Sequence, residues 1–206
     1  MEKNKQSKFR RMMLIVLVLF ITSCTSPKDK ELPNLLIGDG GVLSGYPCAA
    51  PCFWNITPGV TSEKEALTIL SSLGDIQNCE KWGKVENGAD KGMRCNNFAY
   101  TANTDGLINH LSFSPTVNIE IVDAISQFGN PDQISVTAEG IESEGLVTLL
   151  LFFDEEQMIF EFQSQDAQTF SLEPTTEIPN IQYCDDDVYS MYTSIRTEPW
   201  KGYGEY

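Results

Sequence analysis

The sequence predicts an α+β fold in which helices cover one face of an antiparallel sheet. Capped amphipathic segments with apolar residues at helical spacing occur twice along the chain, and short strand-like segments follow each of them. We therefore expect two tandem helix-plus-sheet units, at 48–115 and 116–172. The 206 residues include six cysteines behind an export-type leader, so we also expect disulfides to stabilise this fold.

The first unit is predicted from a helix start and a hairpin. Ser62 and Glu65 have the spacing of a capping box. Apolar residues at helical spacing and a closing glycine follow: Leu67, Leu70, Leu73 and Gly74. Two strand-like segments, Lys91–Ala102 and Leu107–Phe113, come next, and the Asp-Gly pair between them is typical of a hairpin turn.

The second unit repeats this pattern 55 residues later. The matching positions are Thr116, Val122, Ile125, Phe128 and Gly129. Pro131 follows the glycine and prevents the helix from continuing. Three strand-like segments complete the unit: Gln133–Thr137, Leu146–Phe153 and Met158–Phe162. Either a true duplication or two unrelated capped helices would give this repeat.

Residues 1–23 have the pattern of an export signal. Five cations precede a short apolar run, Met12–Ile21, and the chain continues with Thr22-Ser23-Cys24. Ten helical residues cover about 15 Å, roughly half of a hydrocarbon core, so the run is too short to span a membrane. The segment resembles the bacterial lipoprotein signal, which implies cleavage before Cys24 and acylation of its thiol. A plain signal peptide or an uncleaved anchor are the alternatives.

The lipoprotein resemblance implies a protein that is held at a membrane surface outside the cytoplasm. The chain has 14 Lys and Arg against 29 Asp and Glu; the leader contains five and one of these, which leaves a mature net charge of −19. Such a surface repels nucleic acid and favours cationic partners. Residues 24–47 are rich in Gly and Pro, and we expect them to form a flexible tether behind the lipid.

A second resemblance concerns the repeated unit. The run Ile56-Thr57-Pro58-Gly59-Val60-Thr61, followed by the helix that ends at Gly74, resembles the opening of the SmpA/OmlA (BamE-like) lipoprotein domain. Phe128-Gly129-Asn130-Pro131 resembles the close of that helix in a second copy, whereas the first copy lacks the proline. Two tandem copies are similar to the β-lactamase-inhibitor-protein plan. The resemblance covers about residues 53–165 and implies a non-enzymatic, protein-binding or envelope-assembly role.

Two segments flank the region of this resemblance. Cys48-Ala49-Ala50-Pro51-Cys52-Phe53-Trp54 is foreign to the BamE-like pattern and is similar to the start of uncharacterised bacterial lipoproteins. Residues 173–206 carry several aromatic side chains, and we expect this stretch to be an extension that docks on the core.

Five cysteines remain once Cys24 is assigned to the lipid. We expect Cys79 and Cys95 to form a disulfide across a polar segment. Cys48 and Cys52 either bridge each other or use one sulfur to hold Cys184, and the odd count leaves one thiol over.

The chain lacks a nucleophile elbow and a phosphate-binding glycine loop, so we expect neither catalysis nor a cofactor. One alternative is a copper or redox site made by Cys48, Cys52 and His110, although we expect His110 to lie at the surface. Another is an extracellular hydrolase with carboxylate chemistry. The acidic runs at 155–156 and 185–187 are expected to be solvated turns. Several aromatics belong either to the core or to a binding patch: Phe53, Trp54, Trp200, Tyr203 and Tyr206.

The sequence as a whole predicts a lipid-anchored protein-binding or envelope-maintenance module. Its expected contacts are the membrane, through the lipid on Cys24, and a protein partner; nucleic acid is not expected, and a small-molecule ligand is left open.

Overall fold

The computed structural model describes residues 38–73, 79–83, 91–95, 97–139, 146–165, 169–194 and 196–206. The leader, Cys24 and residues 25–37 lie outside these ranges. The described residues form a mixed α+β fold in which one large antiparallel sheet dominates. In the part of the chain that the structure describes, no helix is long and apolar enough to cross a membrane.

Three described helices and eleven strands make up the fold. In chain order they are α1 (Glu63–Ser72), β1 (Glu80–Trp82), β2 (Lys91–Arg94), β3 (Phe98–Ala102), β4 (Ile108–Phe113), α2 (Ile121–Phe128), β5 (Gln133–Glu139), β6 (Leu146–Phe153), β7 (Met158–Gln165), β8 (Ser171–Leu172), β9 (Asn180–Cys184), α3 (Asp186–Thr193), β10 (Glu198–Pro199) and β11 (Gly204–Glu205).

The main sheet has nine described strands in the order β1-β2-β3-β4-β9-β7-β6-β5-β10. Every neighbouring pair is antiparallel, and β8 and β11 form a separate two-stranded sheet. Strand β9 lies between β4 and β7, so the stretch 173–206 is not an extension on a finished core. It supplies a strand at the middle of the sheet, where Ile181 and Tyr183 are fully buried beside their neighbours in β4 and β7.

Helix α1 begins where the capping box predicts. The Ser62 hydroxyl accepts from the Glu65 N–H at 3.3 Å, and the Glu65 carboxylate accepts from the Ser62 N–H at 3.0 Å. Helix α2 begins at Ile121, five residues after the predicted Thr116, and Glu120 supplies no side-chain cap. The N–H groups of Ile121 and Val122 instead donate to the carbonyls of Thr176 and Pro174. This later stretch of chain satisfies the helix start, and no local pattern reveals it.

The predicted strand Lys91–Ala102 is two strands in the structure. β2 and β3 pair as a hairpin, and the Cys95 N–H donates to the Phe98 carbonyl at 2.8 Å in the turn. Helix α1 is thus followed by β2–β4, after the short β1, and helix α2 is followed by the meander β5–β7. Whether these two parts are copies of one ancestral unit stays a prediction.

One face of the sheet, which we call the closed face, carries two rows of buried apolar side chains under α1 and α2. The rows cross β2, β3, β4, β9, β7, β6 and β5 in register: Met93, Tyr100, Leu111, Tyr183, Met158 and Phe153, then Phe98, Phe113, Ile181, Phe160, Leu151 and Ile134. Ala66 and Leu70 of α1 and Ile121 and Ala124 of α2 pack onto them. This face is the hydrophobic core.

The last ten residues of the predicted tether, 38–47, are folded onto the closed face. Val42 is 2% exposed and belongs to the core. A Cβ on Gly40 would lie 2.5 Å from the Phe113 ring, so only glycine allows this close approach. The Asp39 carboxylate accepts hydrogen bonds from the N–H groups of Gly41, Leu43 and Ser44 and thereby fixes the turn. The predicted tether, 24–47, therefore extends too far, because its residues 38–47 belong to the folded part of the chain.

Two disulfides are present, in agreement with the expectation that disulfides stabilise the fold. They join Cys48 to Cys52 and Cys79 to Cys95, with Cα atoms 5.7 and 4.2 Å apart. Cys184 is free and fully buried. The alternative bridge between Cys184 and the first pair is not formed, because Cys184 points to the opposite face of the sheet from the Cys48–Cys52 loop, which packs against the core through Phe53.

Candidate ligand-binding face

The opposite face of the sheet, which we call the α3 face, is apolar at one end and polar in the middle. Helix α3 covers the apolar end, where Leu150, Phe152, Ile159 and Cys184 pack against Tyr189. Among the described residues, this helix is the only one whose side chains pack on that face. The same strands also present polar side chains, which form the candidate site, and Tyr192 of α3 reaches one end of it, with its ring centre 6.2 Å from that of His110.

This polar strip consists of six residues on three adjacent strands: His110, Ser112, Glu161, Gln163, Asn180 and Gln182. Strand alternation places all six on the α3 face, opposite the apolar rows of the closed face. The register brings Glu161 beside Asn180 and Ser112 beside Gln182. β9 therefore joins side chains from β4 and β7 that the sequence separates by about fifty residues.

The Glu161 carboxylate is the centre of the strip. Its Oε2 accepts from the amide groups of Asn180 and Gln182, each at 2.7 Å, and its Oε1 accepts from Gln163 at 2.7 Å. Asn180 in turn accepts from the Ser112 hydroxyl at 3.0 Å. Three amide donors thus hold both oxygens of the carboxylate in place. The carboxylate is thus a fixed negative charge on a half-buried surface.

Glu161 has no cationic partner in the part of the chain that the structure describes. The ion pairs there join Lys91 to Glu63 and Lys201 to Glu198. A half-buried charge is usually paired, since removing it from water is costly. The Glu161 carboxylate is instead bonded by neutral amide donors, and it lies half-buried on the α3 face.

His110 lies at the end of the strip and is held by the same network. Its Nε2 is 3.0 Å from the Gln182 oxygen, and because the Gln182 amide donates to Glu161, this Nε2 carries the hydrogen and donates. Burial lowers the pKa of His110 below its ordinary 6.5, opposed in part by Gln182, Glu161 and Asp185. We therefore expect a neutral imidazole at neutral pH, in a half-buried position rather than a freely solvated one.

The register also places Cys184 directly opposite His110, a proximity that sequence reasoning missed. The two residues lie 74 positions apart, and only the pairing of β4 with β9 brings them together. Burial raises the pKa of the Cys184 thiol, and the nearby Asp185 carboxylate raises it further. A nucleophilic cysteine needs the opposite environment, so this pair does not resemble an activated thiol–imidazole dyad.

The three residues of the copper alternative are not brought together. Cys48 and Cys52 are bonded to each other, and their loop packs on the closed face, whereas His110 lies on the α3 face. Among the described residues, no group of three His, Cys, Asp or Glu side chains is arranged to hold a metal ion.

The acidic run at 185–187 is not a solvated turn, because it forms the N-cap and first turn of α3, whereas 155–156 lies in the β6–β7 turn with Glu155 exposed. Asp185 caps α3 by accepting from the Val188 N–H at 2.9 Å, and Asp186 accepts from Gln157. In the β6–β7 turn, burial raises the pKa of Glu156, and Asp154 accepts from the Tyr189 hydroxyl at 2.8 Å. The bonds of Asp154 and Asp186 thus join the turn to α3.

The aromatic candidates divide between core and surface. Phe53 is 1% exposed and belongs to the core, while Trp200 stacks on Tyr206 with ring centres 6.0 Å apart and packs against the closed face. Trp54 also packs there, whereas Tyr203 is 41% exposed. Trp82, which no sequence pattern singles out, lies across Gly92 on the α3 face, since a Cβ on Gly92 would be 2.4 Å from its ring.

Two surface clefts lie elsewhere. One, of about 680 Å³, is at the start of α1, and another, of about 360 Å³, lies between β5 and the C-terminal residues. One carboxylate in each, Glu65 and Glu198, is bonded to Ser62 and Lys201 respectively, and these bonds lower both pKa values. Neither cleft includes a residue of the polar strip.

Comparison with known proteins does not identify this site. No family model, curated protein or solved structure matches the chain. The resemblances to lipoprotein signals and to BamE-like domains stay predictions, and the site has to be interpreted from its own geometry.

Proposed function

We propose that this protein is a lipid-anchored, extracytoplasmic binding module that holds a protein partner on its α3 face and performs no catalysis. The observation that carries the proposal is the Glu161 carboxylate, which three amide groups fix at the centre of an open, half-buried sheet face. Preorganised polar groups of this kind favour recognition, because they are already ordered before a partner binds.

The environment of the site supports binding over chemistry. The thiol and imidazole of Cys184 and His110 lie side by side, but burial disfavours the thiolate. The amide side chains around Glu161 supply both donors and acceptors, which are the groups that fix orientation in protein interfaces. The described strip contains one carboxylate, whereas a glycosidase requires two that face each other.

The proposed location rests on the sequence. A basic leader with a short apolar run ends at Cys24, and disulfides are typical of proteins outside the cytoplasm. The acidic mature chain would stay soluble beside an anionic membrane. We also propose, as the origin of the two helix-plus-meander parts, duplication of a BamE-like unit.

Localisation is tested by changing the acylation site. Cells that produce the wild-type chain are expected to retain it in the membrane fraction, with a mass that corresponds to cleavage before Cys24 plus acyl chains. The Cys24→Ser variant should lose the acyl mass and leave the membrane fraction. An unmodified Cys24 in the mature wild-type protein would refute the lipid anchor.

Partner binding is tested by position-specific cross-linking in intact cells. A photo-reactive residue at Gln163, in the polar strip, is compared with one at Lys64, which is exposed on α1 behind the closed face. We expect one discrete protein adduct from position 163 that excess wild-type protein suppresses, and no such adduct from position 64. Equal adducts at both positions, or none at 163, would contradict the proposed function.

A further inference from the structure

We propose that the partner presents an arginine or lysine side chain to Glu161, so that the polar strip is a docking site for a cationic protein segment. The inference rests on the proposed function and specifies the chemistry of its partner. Charge, the hydrogen-bonding capacity of the carboxylate and the dimensions of the strip each support it.

Charge complementarity favours a cation. The mature chain carries a formal net charge of −19, and among the described residues no Lys or Arg is paired with Glu161. A negative surface attracts positively charged segments and repels acidic ones. The missing partner of the one carboxylate in the strip is therefore a positive group.

The carboxylate also retains one hydrogen-bonding position. A carboxylate has about four lone-pair sites on its two oxygens. Asn180 and Gln182 occupy both positions on Oε2, whereas Gln163 occupies one on Oε1. None of these three amides occupies the second site on Oε1. A guanidinium or ammonium group fits there without displacing an existing bond.

The size of the strip suits an extended peptide. Its side chains span three strands, which is about 10 Å across the sheet. An extended chain covers this width with about three residues. Ser112, Asn180 and Gln163 then supply hydroxyl and amide groups for the peptide backbone on either side of the cation.

The test uses the full chain, purified in detergent micelles and labelled with ¹⁵N, because the side-chain amides that hold Glu161 are directly visible by NMR. The probe is acetyl-Gly-Arg-Gly-Arg-Gly-amide, and the matched control peptide has citrulline, a neutral isostere, in place of both arginines. We expect saturable shifts of the Gln163, Asn180 and Gln182 side-chain signals with the arginine peptide. Equal shifts with the citrulline peptide, or no shifts with either, would overturn the proposal.

Two variants separate the site from general attraction to an acidic protein. Glu161→Gln removes the charge and should weaken binding of the arginine peptide about tenfold or more. Glu173→Gln removes the same charge from an exposed turn and should weaken it less than about twofold. Equal weakening by both variants would show that only net charge matters and would contradict the proposal.

A third variant keeps the test decisive if Glu161→Gln does not fold. Thr148 of β6 pairs with Gln163 of β7 and is the diagonal neighbour of Glu161. Thr148→Lys should therefore supply an internal cation to Glu161 and block binding of the arginine peptide. Unchanged binding by a folded Thr148→Lys variant would contradict the inference. If the Gln163 cross-link captures a partner but the arginine peptide does not bind, the cationic chemistry is wrong and the binding function stands. If both fail, the proposed function fails as well.

Discussion

The two faces of the sheet are made by the same strands, yet they differ in what they bury. In β7, Met158, Phe160 and Phe162 point to the closed face and are at most 1% exposed. Their neighbours Ile159, Glu161 and Gln163 point to the α3 face and pass from buried to exposed along the strand. In this strand the closed face is thus buried throughout, whereas the α3 face is buried only where α3 covers it.

The largest expected difference between the faces is in the cost of truncating a side chain. Phe160 is fully buried, with its ring centre 4.8 Å from that of Phe153. Phe160→Ala should therefore lower the free energy of unfolding by about 3–5 kcal/mol, since it removes apolar contact and leaves a cavity. Gln163→Ala, on the other face of the same strand, should change it by less than about 0.5 kcal/mol.

Urea unfolding of the full chain, followed by circular dichroism, measures both changes. The comparison needs an unchanged slope of free energy against urea, so that the midpoint reports stability alone. A loss of more than about 1.5 kcal/mol for Gln163→Ala would show that the polar strip is part of the stabilising core, and the contrast between the faces would fail.

The disulfides test whether covalent stabilisation also favours the closed face. Cys79 and Cys95 both pack on that face and close a sequence separation of 16 residues. Replacing both by serine should cost about 3 kcal/mol in the chain-entropy description, against about 2 for Cys48 and Cys52, which are separated by 4. The matched control is Cys184→Ser on the α3 face, which breaks no bridge. Urea midpoints with and without reductant separate the loss of a bridge from the effect of replacing a cysteine by serine. If reductant destabilises the Cys79/Cys95 double variant as strongly as the wild type, the Cys79–Cys95 bridge does not contribute to the stability of the fold.

A smaller effect is expected at the start of α1, which covers the closed face. Ser62→Ala removes the hydroxyl that accepts from the Glu65 N–H and should cost about 1 kcal/mol. The bonds from Ser62 lower the pKa of Glu65 below its ordinary 4.5, so their contribution is present above pH 4.5 and is lost as the pH falls through the folded value. The difference in urea midpoint between wild type and Ser62→Ala should therefore be smaller at acidic pH than at neutral pH. Thr68→Ala, which removes a hydroxyl later in the helix, is the control and should leave this pH dependence unchanged.

Local features of the fold were predictable from the sequence because their causes are local. The capping box at Ser62, the Asp-Gly turn and the alternation in Met158–Phe162 each involve residues within a few positions of one another. The start of α2 was predicted too early because its N–H groups are satisfied by Pro174 and Thr176, some fifty residues away. Nothing in the residues around Thr116 encodes that contact.

The candidate site escaped prediction for the same reason. The sequence places Glu161 within the strand-like segment Met158–Phe162, and Asn180 and Gln182 within the stretch 173–206 that is expected to dock as an extension. Their amides become partners of Glu161 once β9 enters the sheet between β4 and β7. A polar network built across three strands depends on register, and register is decided by the whole sheet.

The smallest expected effect is a pH dependence on the α3 face. Burial holds the pKa of His110 below the 6.5 that it has in the unfolded chain, so the unfolded chain binds the proton first as the pH falls. Stability should be greatest above pH 6.5 and should decrease as the pH falls toward the folded value. His110→Gln should flatten this slope between about pH 7 and about pH 5, whereas Ser112→Ala, a neutral change on the same strand, should keep it. Urea midpoints across this range measure the slopes, and equal slopes for wild type and His110→Gln would mean that His110 is as solvated as an ordinary surface histidine. The polar strip would then be more open than its hydrogen bonds indicate, and the two faces would differ even more.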